Sequence, residues 1–160
     1  MKIRPIEASD DRELAAVIRK SLEQHGLALP GTAYFDPELD HLSGFYQAVP
    51  GREYFVVVDD AEHVLGGCGI AEYAGNTQYA ELQKLYLSEN AQGHGLGYRL
   101  IALVYGFAQK MKYQKLYLET HHVLQAAIHL YDKTGFHKLS EALPGSQHGS
   151  MDRFFLKDIQ

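Results

Sequence analysis

Hydrophobic and polar residues alternate along several stretches of the chain, and this alternation predicts strands. It is clearest over Ala80–Leu87, where the sequence reads AELQKLYL. A period of two places the apolar side chains on one face of a sheet. Further strands are predicted at Lys2–Ile6, Glu53–Asp59, Val64–Tyr73, Lys115–Glu119, Phe136–Leu139 and Met151–Ile159. The glycines in the third of these, at 66, 67 and 69, indicate a bulge or a close backbone neighbour.

Apolar residues at helical spacing predict four helices between these strands. The first is expected to follow Ser9 as its N-cap and to end at Gly26. The second is short, with Asp36 as its cap and Pro37 at its first helical position. The third carries its apolar face on Leu100, Val104, Phe107 and Met111. The fourth is predicted at Gln125–Lys133.

The order of these elements predicts the fold class. A strand and two helices precede three strands, then come a helix, a strand, a helix and two final strands. The central strand–helix–strand unit should form a right-handed parallel crossover, whereas the hairpins should be antiparallel. We therefore expect an α+β fold of the α/β-sandwich type, a mixed, mainly antiparallel sheet of about seven strands flanked by helices. No repeat or linker interrupts the chain, so a single domain over residues 1–160 is expected.

A glycine-rich segment joins the Ala80–Leu87 strand to the third helix. It reads QGHGLG over Gln92–Gly97. The first amides of a helix lack intrahelical partners, and the helix dipole is positive there. Glycine lets the backbone approach a ligand closely, so this junction predicts an anion site, most naturally for phosphates.

The spacing distinguishes this segment from two common phosphate loops. It lacks the Gly-Lys-Ser/Thr ending of the Walker A pattern, and its third glycine comes one residue too early for G-x-G-x-x-G. The spacing Q/R-x-x-G-x-G resembles the GNAT superfamily of acetyl-CoA-dependent N-acetyltransferases. That resemblance implies that the loop binds the pyrophosphate of coenzyme A and that the fourth and fifth strands splay apart to admit it.

A second segment, Ala126–Phe136, resembles the other signature of this superfamily, A-x-x-x-Y-x-x-x-G-F. Leu124 and Glu89 depart from the residues common there, an asparagine and a proline, and neither position touches the phosphate loop. The resemblance implies that strand backbone pairs with pantetheine and loop amides hold the pyrophosphate. The implied acetyl-CoA-binding residues are Leu85, Tyr86, Leu87, Gln92, Gly93, His94, Gly95, Leu96, Gly97, Tyr98 and Tyr131.

The resemblance also implies catalytic residues. Glu81 matches the glutamate that serves as general base in histone-type acetyltransferases, and Tyr131 occupies the general-acid position. Glu72 on the preceding strand is a second candidate base, and Glu81 is alternatively a solvated residue on a polar strand face. An amine must be neutral to attack a thioester, which is why a nearby carboxylate matters.

The leading hypothesis is an N-acetyltransferase that moves the acetyl group of acetyl-CoA to a primary amine in a ternary complex. The alternative is a non-catalytic acyl-CoA-binding sensor or interaction module, and a third hypothesis is a nucleotide-binding regulator. The resemblance implies an acceptor site built by the first two helices. Four aromatic residues are therefore candidate walls of the acceptor pocket or core residues: Tyr34, Phe35, Phe45 and Tyr46.

Composition and charge limit the partners and the cellular location that are expected for this protein. The net charge of −5 and the lack of basic runs argue against nucleic-acid binding. The single Cys68 fits a reducing compartment, and no apolar run approaches a membrane span, so a cytoplasmic protein is expected. His121, His122 and His129 are not expected to bind metal, because neighbouring residues of an extended chain point in opposite directions. A homodimer through the last strand remains open.

Overall fold

A seven-stranded sheet runs through the molecule, whose computed structural model describes all residues from Met1 to Gln160. Its spatial order is β1-β2-β3-β4-β5-β7-β6, and only the β4–β5 pair is parallel. The predicted mixed, mainly antiparallel sheet is confirmed. The strands are β1 (Lys2–Pro5), β2 (Glu53–Val58), β3 (Val64–Tyr73), β4 (Asn76–Leu87), β5 (Lys115–Thr120), β6 (His137–Leu139) and β7 (Arg153–Asp158).

Helices cover both faces of the sheet and divide the core into two clusters. One cluster contains Leu14, Ile18 and Leu22 of α1, and the other contains Leu100 and Val104 of α3. These residues recur at helical spacing, which is why each helix buries one stripe against the sheet. The α-helices are α1 (Asp11–Gln24), α2 (Leu42–Gln47), α3 (Leu96–Lys110) and α4 (Gln125–Lys133). None of them is both long and apolar enough to span a bilayer.

Both predicted helix caps in the N-terminal region are wrong. Ser9 lies inside a 3-10 turn, Ala8–Asp10, whose N-cap is Glu7. The Asp10 side chain accepts a hydrogen bond from the Glu7 amide and pairs with Arg4, so it fixes this turn before α1 begins.

Asp36 does not cap a helix, because its carboxylate is engaged elsewhere. It follows a 3-10 turn, Ala33–Phe35, in extended conformation. The chain then forms another 3-10 turn, Leu39–His41, before α2. The carboxylate of Asp36 contacts Lys84 and His148 instead, which brings this segment to the candidate site.

The hairpin between β3 and β4 is tighter than predicted. Ala74 and Gly75 both have positive φ, 51° and 72°, and form a two-residue turn. Such turns match the right-handed twist of the flanking strands. As a result β4 begins at Asn76, four residues before the predicted start, and the polar residues before Ala80 extend the strand.

Candidate active site

The parallel strands β4 and β5 pair over only three residues and then separate. The paired positions are Tyr79–Glu81 on β4 and Lys115–Tyr117 on β5. Beyond them β4 continues to Leu87 without β5 beside it, so one backbone edge of its last residues is free of a strand partner. An open cleft of about 1200 Å³ adjoins this edge. The resemblance implied that these two strands splay apart, and their short parallel pairing shows that they do.

The glycine-rich turn forms one end of the cleft. Gly93 and Gly95 have φ angles of 80° and 72°, which other residues adopt only with strain. Gly95 immediately precedes α3, so the free amides of the first helical turn face the same region. The Gln92 side chain donates to the Leu87 carbonyl at 3.1 Å and ties the turn to the end of β4.

Most of the predicted binding residues line this cleft. His94 is the exception within the loop, since it is exposed and does not line the cleft. Tyr131 is also absent from this cleft but lines a smaller cavity that shares Leu85 and Tyr86 with it. The predicted residues in the lining are Leu85, Tyr86, Leu87, Gln92, Gly93, Gly95, Leu96, Gly97 and Tyr98.

A bulge in β4 shapes the inner end of the cleft. The pairing with β3 shifts between Gly67–Tyr86 and Gly69–Gln83, and Lys84 has a positive φ of 51°. A Cβ atom on Gly67 would lie 2.3 Å from the Phe55 carbonyl oxygen, so only glycine fits there. The bulge expected from the glycines of β3 is therefore present, and it leaves the Lys84 side chain buried.

Glu81 lies just before this bulge, and its carboxylate is buried. Its Oε1 accepts a 2.7 Å hydrogen bond from Gln83, whose own Oε1 accepts one of 2.7 Å from the Tyr46 hydroxyl. Ligand atoms of Glu81, Glu119 and His148 all lie within 4.8 Å of one another. Burial, with a smaller contribution from the nearby Glu119 charge, raises the pKa of Glu81 above the ordinary glutamate value.

Glu81 lines a small cavity, here called the Glu81 cavity, together with Lys84, Glu119 and His148. Lys84 and His148 also belong to an ion cluster beside it. The Lys84 ammonium lies 2.8 Å from Asp36 and 3.4 Å from Glu38. His148 Nε2 donates to Asp36 Oδ1 at 2.9 Å, and this bond raises the pKa of His148 although burial opposes it. Burial alone would raise the pKa of Asp36, but the His148 bond and the Lys84 charge lower it. The cluster therefore favours a charged carboxylate and a charged imidazole.

Tyr131 faces the neighbouring cavity from α4. Its ring packs against Phe136 and Phe155, with centroids 5.7 Å and 5.8 Å away. Burial raises the pKa of Tyr131 well above its ordinary value, so the hydroxyl stays protonated at neutral pH. The Tyr131 and Glu81 cavities share several walls, which are Leu82, Lys84, Tyr86, Glu119 and Met151.

Glu72, the second candidate base, forms an ion pair with Arg52. The guanidinium of Arg52 holds Glu72 through contacts of 2.5 Å and 3.0 Å, and this bond lowers the pKa of Glu72. Cys68 is fully buried, and burial raises the pKa of its thiol. Neither residue lines the two cavities.

The histidines separate into two places. His121 and His122 both approach Asp152, with His122 Nδ1 2.5 Å from a carboxylate oxygen. His129 lies instead on α4 and lines the large cleft. A cluster with potential metal ligands thus comprises His121, His122 and Asp152, without His129.

The aromatic residues proposed for the acceptor pocket do not line the Glu81 cavity. Tyr34 donates to Glu23, Phe35 is exposed, and Phe45 packs under Arg52. Tyr46 acts only through Gln83. The charged residues that line this cavity with Glu81 and that sequence reasoning missed are Lys84, Glu119 and His148. Asp36 does not line it but pairs with both Lys84 and His148. No motif spacing joins them, although the end of β5 next to the splay marks Glu119 as a position to test.

Comparisons with known proteins agree on one family. The profile of the acetyltransferase (GNAT) family matches residues 17–136. The uncharacterized N-acetyltransferase YjgM of Escherichia coli (strain K12) is 35% identical over 159 residues, which cover 98% of this chain and 94% of YjgM.

Solved structures share the fold at lower identity. A GNAT-family acetyltransferase from Staphylococcus aureus Mu50 superposes with a TM-score of 0.88 at 17% identity over 99% of both chains. A GNAT-superfamily phosphinothricin acetyltransferase from Sinorhizobium meliloti, in complex with AcCoA, has a TM-score of 0.74 at 19% identity over 99% of this chain and 88% of its own. The family match, the near full-length relative and the splayed sheet together establish that this chain belongs to the acetyltransferase (GNAT) family.

Proposed function

We propose that the chain is an N-acetyltransferase that moves the acetyl group of acetyl-CoA to a primary amine by direct attack in a ternary complex. The observation that carries this proposal is the arrangement at the splay of β4 and β5. There the glycine turn of α3 borders the cleft, and the Glu81 and Tyr131 cavities adjoin its inner end. A relative that shares this fold is described in complex with AcCoA.

The cleft suits the two chemical parts of acetyl-CoA. The amides at the start of α3, together with the positive φ of Gly93 and Gly95, suit a pyrophosphate. The backbone of Leu85–Leu87 pairs with β3 on one edge and has no β5 partner on the other. The groups on that free edge are available to pantetheine, apart from the Leu87 carbonyl, which already accepts a hydrogen bond from Gln92. One of these amides would also polarise the thioester carbonyl.

Glu81 is the proposed general base. An acceptor amine arrives as an ammonium ion, and the Glu81 carboxylate takes one proton from it, directly or through a water molecule. The neutral nitrogen then forms a bond to the thioester carbon, and the carbonyl oxygen becomes negative. Glu81 rather than Glu72 fits this step, because Glu72 is held by Arg52.

Tyr131 is the proposed general acid. When the tetrahedral intermediate collapses, the carbon–sulfur bond breaks and the thiolate of CoA takes the hydroxyl proton. The nitrogen loses its second proton, which returns through solvent to the Tyr131 phenolate, and this completes the amide. Burial keeps the Tyr131 hydroxyl protonated before the step, and because the same raised pKa makes it a weak acid, the expected assistance is modest.

Calorimetric titration with acetyl-CoA, ATP and NAD tests the cleft, and amine-dependent release of CoA tests turnover. Selective binding of acetyl-CoA is expected. Preference for ATP or NAD would refute the assignment of the glycine turn. Binding without CoA release on addition of amines would favour the non-catalytic acyl-CoA-binding module.

A pair of variants isolates the phosphate contact. Gly93 is exposed and has a positive φ, and a Cβ atom at this position would have no neighbour within 4 Å. Aspartate and asparagine at this position have nearly the same shape and carry a similar backbone strain, which cancels when Gly93→Asp and Gly93→Asn are compared. We expect the aspartate to weaken acetyl-CoA binding about tenfold more than the asparagine, through repulsion of the phosphates. Equal affinities would place the phosphates elsewhere.

A further inference from the structure

The charged groups around Glu81 are unevenly paired. Both cations that line the cavity are already matched with carboxylates. Lys84 lies between Asp36 and Glu38, and His148 donates to Asp36. An acceptor with a carboxylate group would therefore find no free cation in this cavity.

The carboxylates of Glu81 and Glu119 are bonded mainly to neutral groups. Glu81 accepts from the Gln83 amide, as described above. Glu119 accepts from the Tyr117 hydroxyl at 2.7 Å and from Ser146 at 2.8 Å. His148 is the cation within 4.8 Å of both, and its Nε2 donates to Asp36. The Lys84 charge also acts on Glu81, but its ammonium pairs with Asp36 and Glu38.

The charged groups in and beside the Glu81 cavity carry a net negative charge. They comprise four carboxylates, on Asp36, Glu38, Glu81 and Glu119, and two cations, on Lys84 and His148. With every group ionised, two negative charges are left over. An excess charge in a partly buried cluster is costly unless protonation of Glu81 or a bound cation compensates it, and the raised pKa of Glu81 reflects this cost.

The segment between β6 and β7 closes the cavity. The Leu143 amide donates to the Tyr117 hydroxyl at 3.1 Å, and its carbonyl accepts from Tyr73 at 2.9 Å. Farther along, the Ser150 amide donates to the Gly31 carbonyl at 3.2 Å. The cavity beneath has room for only a few water-sized groups, so it admits only a slender acceptor.

We propose that the acceptor is a small amine that carries a second positive charge and no carboxylate, such as a short aliphatic diamine. This inference rests on the proposed function. The reacting ammonium lies near Glu81 and Glu119 and loses its proton to Glu81. The second positive charge compensates the negative charge that remains on the cluster.

Amine-dependent release of CoA by the full chain tests this acceptor class. The probes are putrescine, butylamine, aspartate, glutamate and a short peptide with a free N-terminus. We expect kcat/KM for putrescine to exceed that for butylamine and for each acidic amino acid by about tenfold or more, the effect of one compensated charge. Preference for aspartate, glutamate or the peptide would overturn the inference.

Charge variants supply a second readout. Glu119→Gln keeps the side-chain shape but removes one negative charge, whereas Glu141→Gln makes the same change at an exposed position. The preference for putrescine over butylamine should fall about fivefold or more in the first variant and stay unchanged in the second. Equal preferences in both variants would contradict the role of Glu119.

Acetyl-CoA titration separates a wrong acceptor class from a wrong function. If acetyl-CoA binds but none of the cationic amines is acetylated, the acceptor class is wrong while the cleft assignment stands. If acetyl-CoA does not bind, the proposed function itself fails.

Discussion

Replacing Glu81 by glutamine removes the proposed base with little change in shape. The amide oxygen of the new side chain still accepts the hydrogen bond from Gln83, so the link through Gln83 to Tyr46 is retained. What is lost is the carboxylate that faces Glu119 and His148 in the shared cavity. The expected defect is therefore in proton transfer rather than in folding.

The size of the defect follows from the protonation of the amine. An aliphatic amine has a pKa of about 10.4, so at pH 7 roughly one molecule in 2,500 is neutral. A positioned base typically contributes about 10²- to 10⁴-fold to the rate. We expect Glu81→Gln to lower kcat/KM at pH 7 by about 10²- to 10³-fold, because the variant must wait for neutral amine.

The pH profile of the variant provides a sharper test than the loss itself. Without a base, kcat/KM should follow the fraction of neutral amine and rise about 100-fold between pH 7 and pH 9. The wild-type protein should instead show an acidic limb from Glu81, displaced upward because burial raises the pKa of this group. Its rate is lost as the pH falls through that raised pKa.

The assay is release of CoA thiol from acetyl-CoA, followed between about pH 6 and pH 9 over a range of amine concentrations. Glu72→Gln serves as the matched control, since it makes the same chemical change at a carboxylate held by Arg52. Equal losses of rate in Glu81→Gln and Glu72→Gln would refute Glu81 as the base, and so would a wild-type pH profile in the Glu81 variant.

Three further predictions concern Tyr131, the α3 core and His148. Tyr131→Phe should lower kcat about tenfold with little change in acetyl-CoA affinity by calorimetry, since a thiolate of pKa near 8.5 needs only modest assistance; an unchanged kcat would remove the general-acid role. Leu100→Ala should lower the free energy of unfolding in urea by about 2–5 kcal/mol, because Leu100 is 0% exposed. Leu103→Ala on the same helix should lower it by less than about 0.5 kcal/mol, because Leu103 is 40% exposed. Similar losses in the two variants would contradict the assigned core. His148→Gln should destabilise the protein below about pH 6.5, where the raised pKa of His148 contributes fully, and the difference from wild type should shrink as the pH rises through that raised value; a difference constant up to about pH 9 would exclude a charged His148.

Regular patterns made most of the fold predictable from the sequence. Alternation over Ala80–Leu87 and helical spacing from Leu100 onward are local signals, and the structure bears out both elements. The two helix caps failed for different reasons. Asp10 is fixed by the Glu7 amide and by Arg4 of β1, so a 3-10 turn centred on Ser9 precedes α1. Asp36 is fixed by Lys84 and His148, which no local window of sequence contains.

The candidate site likewise has one part that local sequence predicts and another part that only distant contacts create. Its cleft follows from the glycine turn and the crossover, which are contiguous in sequence and resemble a known signature. Its charged cavity joins β4, β5 and the β6–β7 segment, which contribute Glu81, Glu119 and His148, and Asp36 of a fourth segment pairs with His148. Each residue resembles an ordinary surface charge in its own segment, and they become a cluster only when these segments pack together.

The bulge in β4 connects these two halves of the site. It places Leu85–Leu87 along the cleft and turns the Lys84 ammonium inward to Asp36 and Glu38. A positive φ at a residue other than glycine costs about 1–2 kcal/mol, and a buried ammonium is tolerated only when paired. The ion pairs of Lys84 offset that strain, and the Tyr54 hydroxyl donates a hydrogen bond of 2.8 Å to the Lys84 carbonyl. The shape of the proposed acetyl-CoA cleft and the charge of the proposed acceptor cavity therefore depend on one backbone distortion. A side chain at Gly67, whose Cβ would lie 2.5 Å from the Tyr54 ring, would disturb both.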